Sequence, residues 1–180
     1  MAWSAPKTYT STETLTHTDL NTYQRDNQLI LKTSINDDGS LADLQSSRVT
    51  SNYTNSTVTL TDVTGLSFTI GSSEVWEFRC ALYVLSPAAG DIKLDVTVPS
   101  GASGRHGLLG ARNEPNTGSA AIGTVVDAST VDSVDLLLVY TGTVVNSTTA
   151  GTVQVQAAQL ANSGTTTIYA NSSITATKIA

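Results

Sequence analysis

The sequence predicts a mainly β protein whose larger part is an antiparallel β-sandwich, and two observations support this prediction. Threonine and serine make up 50 of the 180 residues (29 Thr and 21 Ser), whereas charged residues account for only 13%. Because threonine suits a pleated surface that is partly exposed to water, this composition favours strands over a helical bundle. From residue 57 onward, apolar and polar residues alternate in short runs between Gly, Pro, Ser and Asn, which is typical of successive strands.

The first 15 residues predict an extended N-terminal arm. They are polar apart from Trp3, Pro6, Tyr9 and Leu15, and these apolar positions follow neither the strand period nor the helix period. A segment without such a period has no face to bury, so it is not expected to fold alone. The start of the chain also lacks the basic cluster and the apolar stretch of a secretory signal.

One short amphipathic helix is predicted over about residues 17–32. Thr16 and Asp19 have the spacing of a capping box, and Leu20 and Tyr23 begin an apolar stripe at near-helical spacing. So short a stripe is not stable in isolation, so the helix must dock on another surface. Residues 36–40 form a turn cluster, and the polar residues 40–56 are expected to be a linker or loop. The predicted division is an arm (1–15), a helix and linker (16–56) and a β-domain (57–180).

The β-domain is predicted to hold nine or ten strands. The run Val75–Leu85 is long enough for a central strand, with Trp76, Phe78, Cys80 and Leu82 on one side. Residues 100–118 are rich in glycine and are expected to form a long loop with room for one short strand. This spacing favours an antiparallel sandwich or jelly roll. The other predicted strands lie at about residues 57–61, 66–70, 92–98, 119–127, 136–145, 153–160, 165–169 and 174–179.

Charge and hydropathy exclude two classes of partner. The net charge is -6, and the nine Lys and Arg residues are scattered along the chain. Nucleic-acid binding needs a clustered basic surface that replaces counterions, so no nucleic-acid partner is expected. No apolar run approaches the length of a membrane span, so no membrane partner is expected either.

No catalytic or metal-binding constellation emerges from the sequence. His17 and His106 have no carboxylate or cysteine at ligand spacing, so both are expected to be surface histidines. Asp37 and Asp38 fit turn chemistry better than a calcium loop, because the alternating acids and the terminal Glu are missing. Cys80 is the single cysteine and is expected to be a small buried hydrophobe. The sequence therefore predicts no enzyme, no cofactor and no metal.

Three phrases of the sequence resemble small virion structural proteins of tailed bacteriophages, especially those that infect actinobacteria. Residues 12–31 are similar to the opening of such proteins, where a tryptophan-containing start precedes a helix with the pattern L-x-x-x-x-L-N-x-x-x-R-D-N. Residues 60–101 and 151–180 are similar to their β-domain. The positions that match the helix pattern are Leu15, Leu20, Asn21, Arg25, Asp26 and Asn27.

The resemblance implies a jelly roll of the tumour-necrosis-factor and C1q type. It implies a part of the virion that is made in the host cytoplasm and has no enzymatic activity. Members of the family are variously capsid decoration proteins, head fibres or tail components. A homotrimer is also implied, and the β-domain pattern favours self-association because its apolar strands hold more hydrophobic residues than one sandwich face needs.

Two functional hypotheses follow. In the first, the chain is a capsid decoration (minor capsid) protein whose arm becomes ordered on binding the major capsid protein at the outer capsid surface. In the second, it is a minor tail or fibre protein whose β-domain recognises the host surface. A secreted carbohydrate-binding module is disfavoured, because aromatic residues make up only 6% of the chain. The residues expected to bind the partner are Trp3, Pro6, Tyr9, Leu15, Leu20 and Tyr23.

Overall fold

The computed structural model describes residues 43–87, 89–109, 119–128 and 135–180. These residues contain twelve strands and no helix, and hence no helical segment long and apolar enough to cross a membrane. The predicted arm and the predicted helix lie outside the described residues. The strands are β1 (Leu44–Arg48), β2 (Tyr53–Asn55), β3 (Thr61–Ile70), β4 (Val75–Leu85), β5 (Ile92–Thr97), β6 (Ser103–Leu109), β7 (Ser119–Ala121), β8 (Val126–Ala128), β9 (Leu136–Val145), β10 (Gly151–Ala158), β11 (Thr166–Ile168) and β12 (Ser173–Lys178).

The strands form two antiparallel sheets, a large one and a small one. The large sheet has the order β1-β12-β4-β9-β6-β7, and the short strands β2 and β11 extend it through the pairing of β11 with β4. The small sheet has the order β3-β10-β5-β8. Side chains from both sheets meet in one hydrophobic core.

Eight of the described strands form a jelly-roll frame, to which β2, β6, β7 and β11 are additions. Taken in chain order, the first, eighth, third and sixth strands of the frame lie side by side in the large sheet. The second, seventh, fourth and fifth form the small sheet. This is the double Greek-key connectivity of a jelly roll. The predicted antiparallel β-sandwich is therefore confirmed.

Strand β4 has the bounds and the inward face that the sequence predicts. Trp76, Phe78, Cys80 and Leu82 are all buried, while the alternate residues of the strand point away from the core. Cys80 is a free cysteine, and burial raises the pKa of its thiol well above the usual range. Its predicted role as a small buried hydrophobe is confirmed.

Aromatic rings join the two sheets across the core. Phe68 of β3 lies between Trp76 and Phe78 of β4, with ring centroids 5.8 and 6.0 Å apart. Phe78 in turn meets Tyr140 of β9 edge to face at 5.6 Å. Such tilted and edge-to-face contacts add to the stabilisation that burial of the rings provides. Four aromatic residues of the described part of the chain thus lie where the sheets face each other.

The structure corrects the prediction for residues 40–61. Residues Leu44–Arg48 and Tyr53–Asn55, expected to be linker or loop, form strands β1 and β2. The strand expected at residues 57–61 does not form. Strand β3 begins only at Thr61, and Val58 is 44% exposed. The Asn55 side chain explains the turn, since its Oδ1 accepts from the Thr57 amide at 2.7 Å and its Nδ2 donates to the Thr59 carbonyl at 3.0 Å.

The region after residue 100 also differs from the prediction. Strand β6 occupies Ser103–Leu109 and pairs with β9 over seven residues, so the expected long loop contains a full strand of the large sheet. Residues 119–127, expected to be one strand, are divided by a turn between β7 and β8, which belong to different sheets. The sequence of β6 is polar and rich in glycine, and it hides this strand because it has no alternating apolar pattern of its own.

We expect Gly65→Ala to destabilise the protein more than the matched change Gly123→Ala. Both glycines have positive φ, 90° and 86°, so alanine costs each about 1–2 kcal/mol. A Cβ at Gly65 would also lie 2.3 Å from the Arg48 carbonyl oxygen, whereas one at Gly123 would meet nothing within 4 Å. This clash adds about 1–3 kcal/mol. Urea unfolding of both variants measures the difference, and equal losses would contradict the backbone contact between β3 and β1.

Candidate functional site

The residues that the sequence assigns to partner binding cannot be placed on the fold. Trp3, Pro6, Tyr9, Leu15, Leu20 and Tyr23 all lie outside the described residues. Their role stays a prediction. The candidate sites that follow belong to the β-domain and were not singled out from the sequence. One is a polar cluster inside the sandwich, and the other is a surface on the large sheet.

His106 lies inside the sandwich, so the prediction of a surface histidine was wrong. Its side chain is only 2% exposed, and its Nδ1 is hydrogen bonded to the hydroxyl of Tyr140. Its Nε2 lies 3.0 Å from the Thr124 carbonyl oxygen and 3.2 Å from that of Ala121. These partners come from β9 and from the turn between β7 and β8. No local sequence spacing reveals them, because they are 15 to 34 residues away along the chain.

The hydrogen bonds around His106 assign its tautomer. Carbonyl oxygens only accept, so in the neutral ring Nε2 carries the hydrogen and Nδ1 accepts from the Tyr140 hydroxyl. Burial raises the pKa of Tyr140 far above its usual range, so that hydroxyl keeps its proton to donate. Asp95 of β5 lies 3.7 Å from Nε2 and also accepts from the amides of Val96 and Gly123. The cluster therefore holds the β7–β8 turn against both sheets.

The buried cluster is suited to a structural role. His106 and Tyr140 are enclosed, so neither presents a reactive atom to a substrate. Within residues 43–87, 89–109, 119–128 and 135–180, no group of three or more His, Cys, Asp or Glu residues is arranged to hold a metal ion. His17, Asp37 and Asp38 lie outside these ranges. What the cluster does chemically is satisfy buried polar atoms, which would otherwise destabilise the core.

The outer face of the large sheet carries an apolar patch. Leu109 of β6, Val139 of β9 and Ala81 of β4 are directly opposite one another in the sheet register, and Leu137 and Tyr83 form the neighbouring row. Leu109, Leu137 and Tyr83 are 50%, 53% and 46% exposed. These five residues are called the apolar patch below. Contiguous exposed apolar surface of this kind is typical of an interaction site.

A groove and a pocket border the apolar patch. The groove, of about 280 Å³, lies over β4, β9 and β6 beside Leu109, and Glu77, Arg105 and Thr141 are among its lining residues. The pocket, of about 530 Å³, lies beside Leu137. Tyr83, Leu136, Asp135 and Tyr169 also line the pocket, where Tyr169 donates a 2.9 Å hydrogen bond to Asp135 that raises the tyrosine pKa. The surface can thus bind by shape and apolar contact.

Comparisons with known proteins find similarity at the level of structure. No protein-family description and no curated protein matches the sequence. Among solved structures, the chain is similar to one in the tripod (BppUct-A-L) from the baseplate of bacteriophage Tuc2009, with 9% sequence identity and a TM-score of 0.34. The alignment covers 97% of this chain and 98% of that one. A likeness at this level establishes neither a shared fold nor a shared function.

We expect Tyr140→Phe to destabilise the protein by about 1–3 kcal/mol, because it leaves the buried Nδ1 of His106 without a donor. The matched control is Tyr83→Phe, since the Tyr83 hydroxyl has no hydrogen bond within the described part of the chain and its ring is half exposed. The control should change stability by less than about 0.5 kcal/mol. Denaturant unfolding gives both values, and hydrogen exchange should show faster opening of the β7–β8 turn only in Tyr140→Phe. Equal stability losses would contradict the role of the cluster.

Proposed function

We propose that this chain is a structural protein of a tailed-bacteriophage particle, that it assembles as a homotrimer, and that it has no enzymatic activity. One observation supports this most directly: residues 60–101, which resemble the β-domain of small phage virion proteins, fold into β3, β4 and β5 of a jelly roll. The resemblance to these proteins implies the same fold. The buried, fully hydrogen-bonded His106 cluster fits a structural role as well.

The position of the protein on the particle has two candidates. As a decoration protein it would bind the major capsid protein on the outer capsid surface, with the β-domain projecting outward. As a minor tail or fibre protein it would be part of the tail and would present the β-domain to the host surface. The family that the sequence resembles includes both, and the same compact β-domain serves either position.

Purified particles decide between the two positions. We expect quantitative mass spectrometry to detect the chain in particles, and electron microscopy with a labelled antibody to place it. A copy number that matches the capsid lattice, with label over the shell, would identify a decoration protein. A few copies with label at the tail would identify a tail or fibre protein. Absence of the chain from purified particles would contradict the proposed function.

The arm is expected to attach the protein to the particle. Deleting residues 1–15 should leave the β-domain folded and oligomeric but abolish co-sedimentation with particles. Trp3→Ala alone should weaken attachment, because burying one large aromatic side chain typically contributes about 1.5–3 kcal/mol. Lys7→Ala serves as the matched control on the same arm and should leave attachment unchanged. If the deletion instead lowers the melting temperature, and binding falls only with the unfolded fraction, then Trp3 belongs to the protein's own core.

A further inference from the structure

We propose that the apolar patch on the outer face of the large sheet is the surface through which copies of this chain pack against one another. This inference rests on the proposed homotrimer and assigns its contact surface. The sequence pattern favours association of copies of this chain in a way that shields the edge strands of the sheets. The structure instead groups three of the exposed large hydrophobic residues on β4, β9 and β6, away from the β1 end of the sheet.

The exposure of the patch is the first argument. Among the described residues, nine large hydrophobic side chains are exposed, and Tyr83, Leu109 and Leu137 are three of them. The other six do not share this pair of rows, whereas these three are joined by Val139 and Ala81 into one continuous surface. A single exposed leucine is ordinary on a protein surface, but a contiguous group over three neighbouring strands indicates a contact.

The distribution of charge favours a second copy as the occupant. Among the residues that the structure describes, the two rows of the patch contain no charged residue, and Ser173 of β12 continues the row of Ala81. In a symmetric assembly, residues near the axis approach their own counterparts in the other copies. Charged residues at the centre of the contact would therefore repel one another, whereas the uncharged rows of the patch do not. The rows that follow carry both signs, with Glu77, Arg79 and Arg105.

Those charges are available for contacts between copies. The side chains of Glu77 and Arg79 have no hydrogen bond or ion pair within the part of the chain that the structure describes, and both residues are exposed. The side chain of Arg105 donates hydrogen bonds only to Ser119 there, to its carbonyl and its hydroxyl. A surface with an uncharged centre and a border of mixed sign is complementary to another copy of itself. A strongly charged partner would find no matching field on it.

The size of the face is also sufficient. Strand β9 has ten residues and spans about 33 Å, and the four neighbouring strands β12, β4, β9 and β6 are together about 19 Å wide. This part of the sheet therefore presents roughly 600 Å². Specific protein–protein interfaces bury about 600–1,000 Å² on each partner, so the face reaches the lower end of this range. The groove and the pocket beside the patch provide recesses for side chains of the neighbouring copy.

The test compares charged substitutions inside and outside the patch in the full chain. Leu137→Asp and Leu109→Asp each place a carboxylate in the patch, on two different strands. Val58→Asp is the matched control, because Val58 is similarly exposed but lies in the loop before β3. Light scattering coupled to size exclusion gives the mass, and thermal unfolding monitored by circular dichroism checks the fold. We expect a trimer mass for the unmodified protein and for Val58→Asp, and a folded monomer for both patch variants.

The outcomes separate this inference from the proposed function. A trimer that persists in both folded patch variants overturns the assignment of the surface and leaves the homotrimer standing. A monomeric unmodified protein overturns the surface and the homotrimer together, while its presence in particles is decided by the particle experiment. If the unmodified protein is a monomer and a patch variant lowers its melting temperature, the protein's own chain covers the patch. That result also overturns the inference. If one patch variant does not fold, the other variant decides.

Discussion

The pairing of β4 with β9 is the constraint on which the rest of the structure depends. Ten consecutive residue pairs join the two strands, from Val75 opposite Val145 to Val84 opposite Leu136. Strand β12 then pairs with the free side of β4, and β6 with the free side of β9. Because side chains alternate along a strand, this one register decides which residues enter the core. A slip by one residue would expose every buried side chain of the slipped strand.

The register of β4 and β9 also determines which residues face inward near the polar cluster around His106. Gly142 stands opposite Phe78, and a Cβ there would lie 2.7 Å from the phenylalanine ring, so the missing side chain makes room for the aromatic contacts of the core. Tyr140 lies two residues before Gly142 on the same inward face. Its ring meets the rings of Phe78 and His106 edge to face. A buried histidine is compatible with this core because each of its ring nitrogens has a partner.

The sequence predicts best those strands whose own residue pattern determines which of their side chains are buried. The bounds of β4 and β9 agree with the prediction, since a long, mostly apolar run is a local property of the sequence. Strands β1 and β2 are polar and become strands only through distant partners; Ser47, for example, donates to carbonyls of β3. The burial of His106 depends likewise on residues that are remote in sequence. The predicted partner-binding residues of the arm lie outside the described part of the chain.

The apolar patch has a sequence signal whose meaning depends on the structure. The run Leu136–Val139 is apolar at every position, and a continuous apolar run is typical of a strand buried on both faces. Leu138 is indeed buried against the small sheet, but Leu137 is half exposed on the opposite face. One sandwich therefore accounts for only half of the run. In the proposed homotrimer, a neighbouring copy with the same uncharged rows buries the other half.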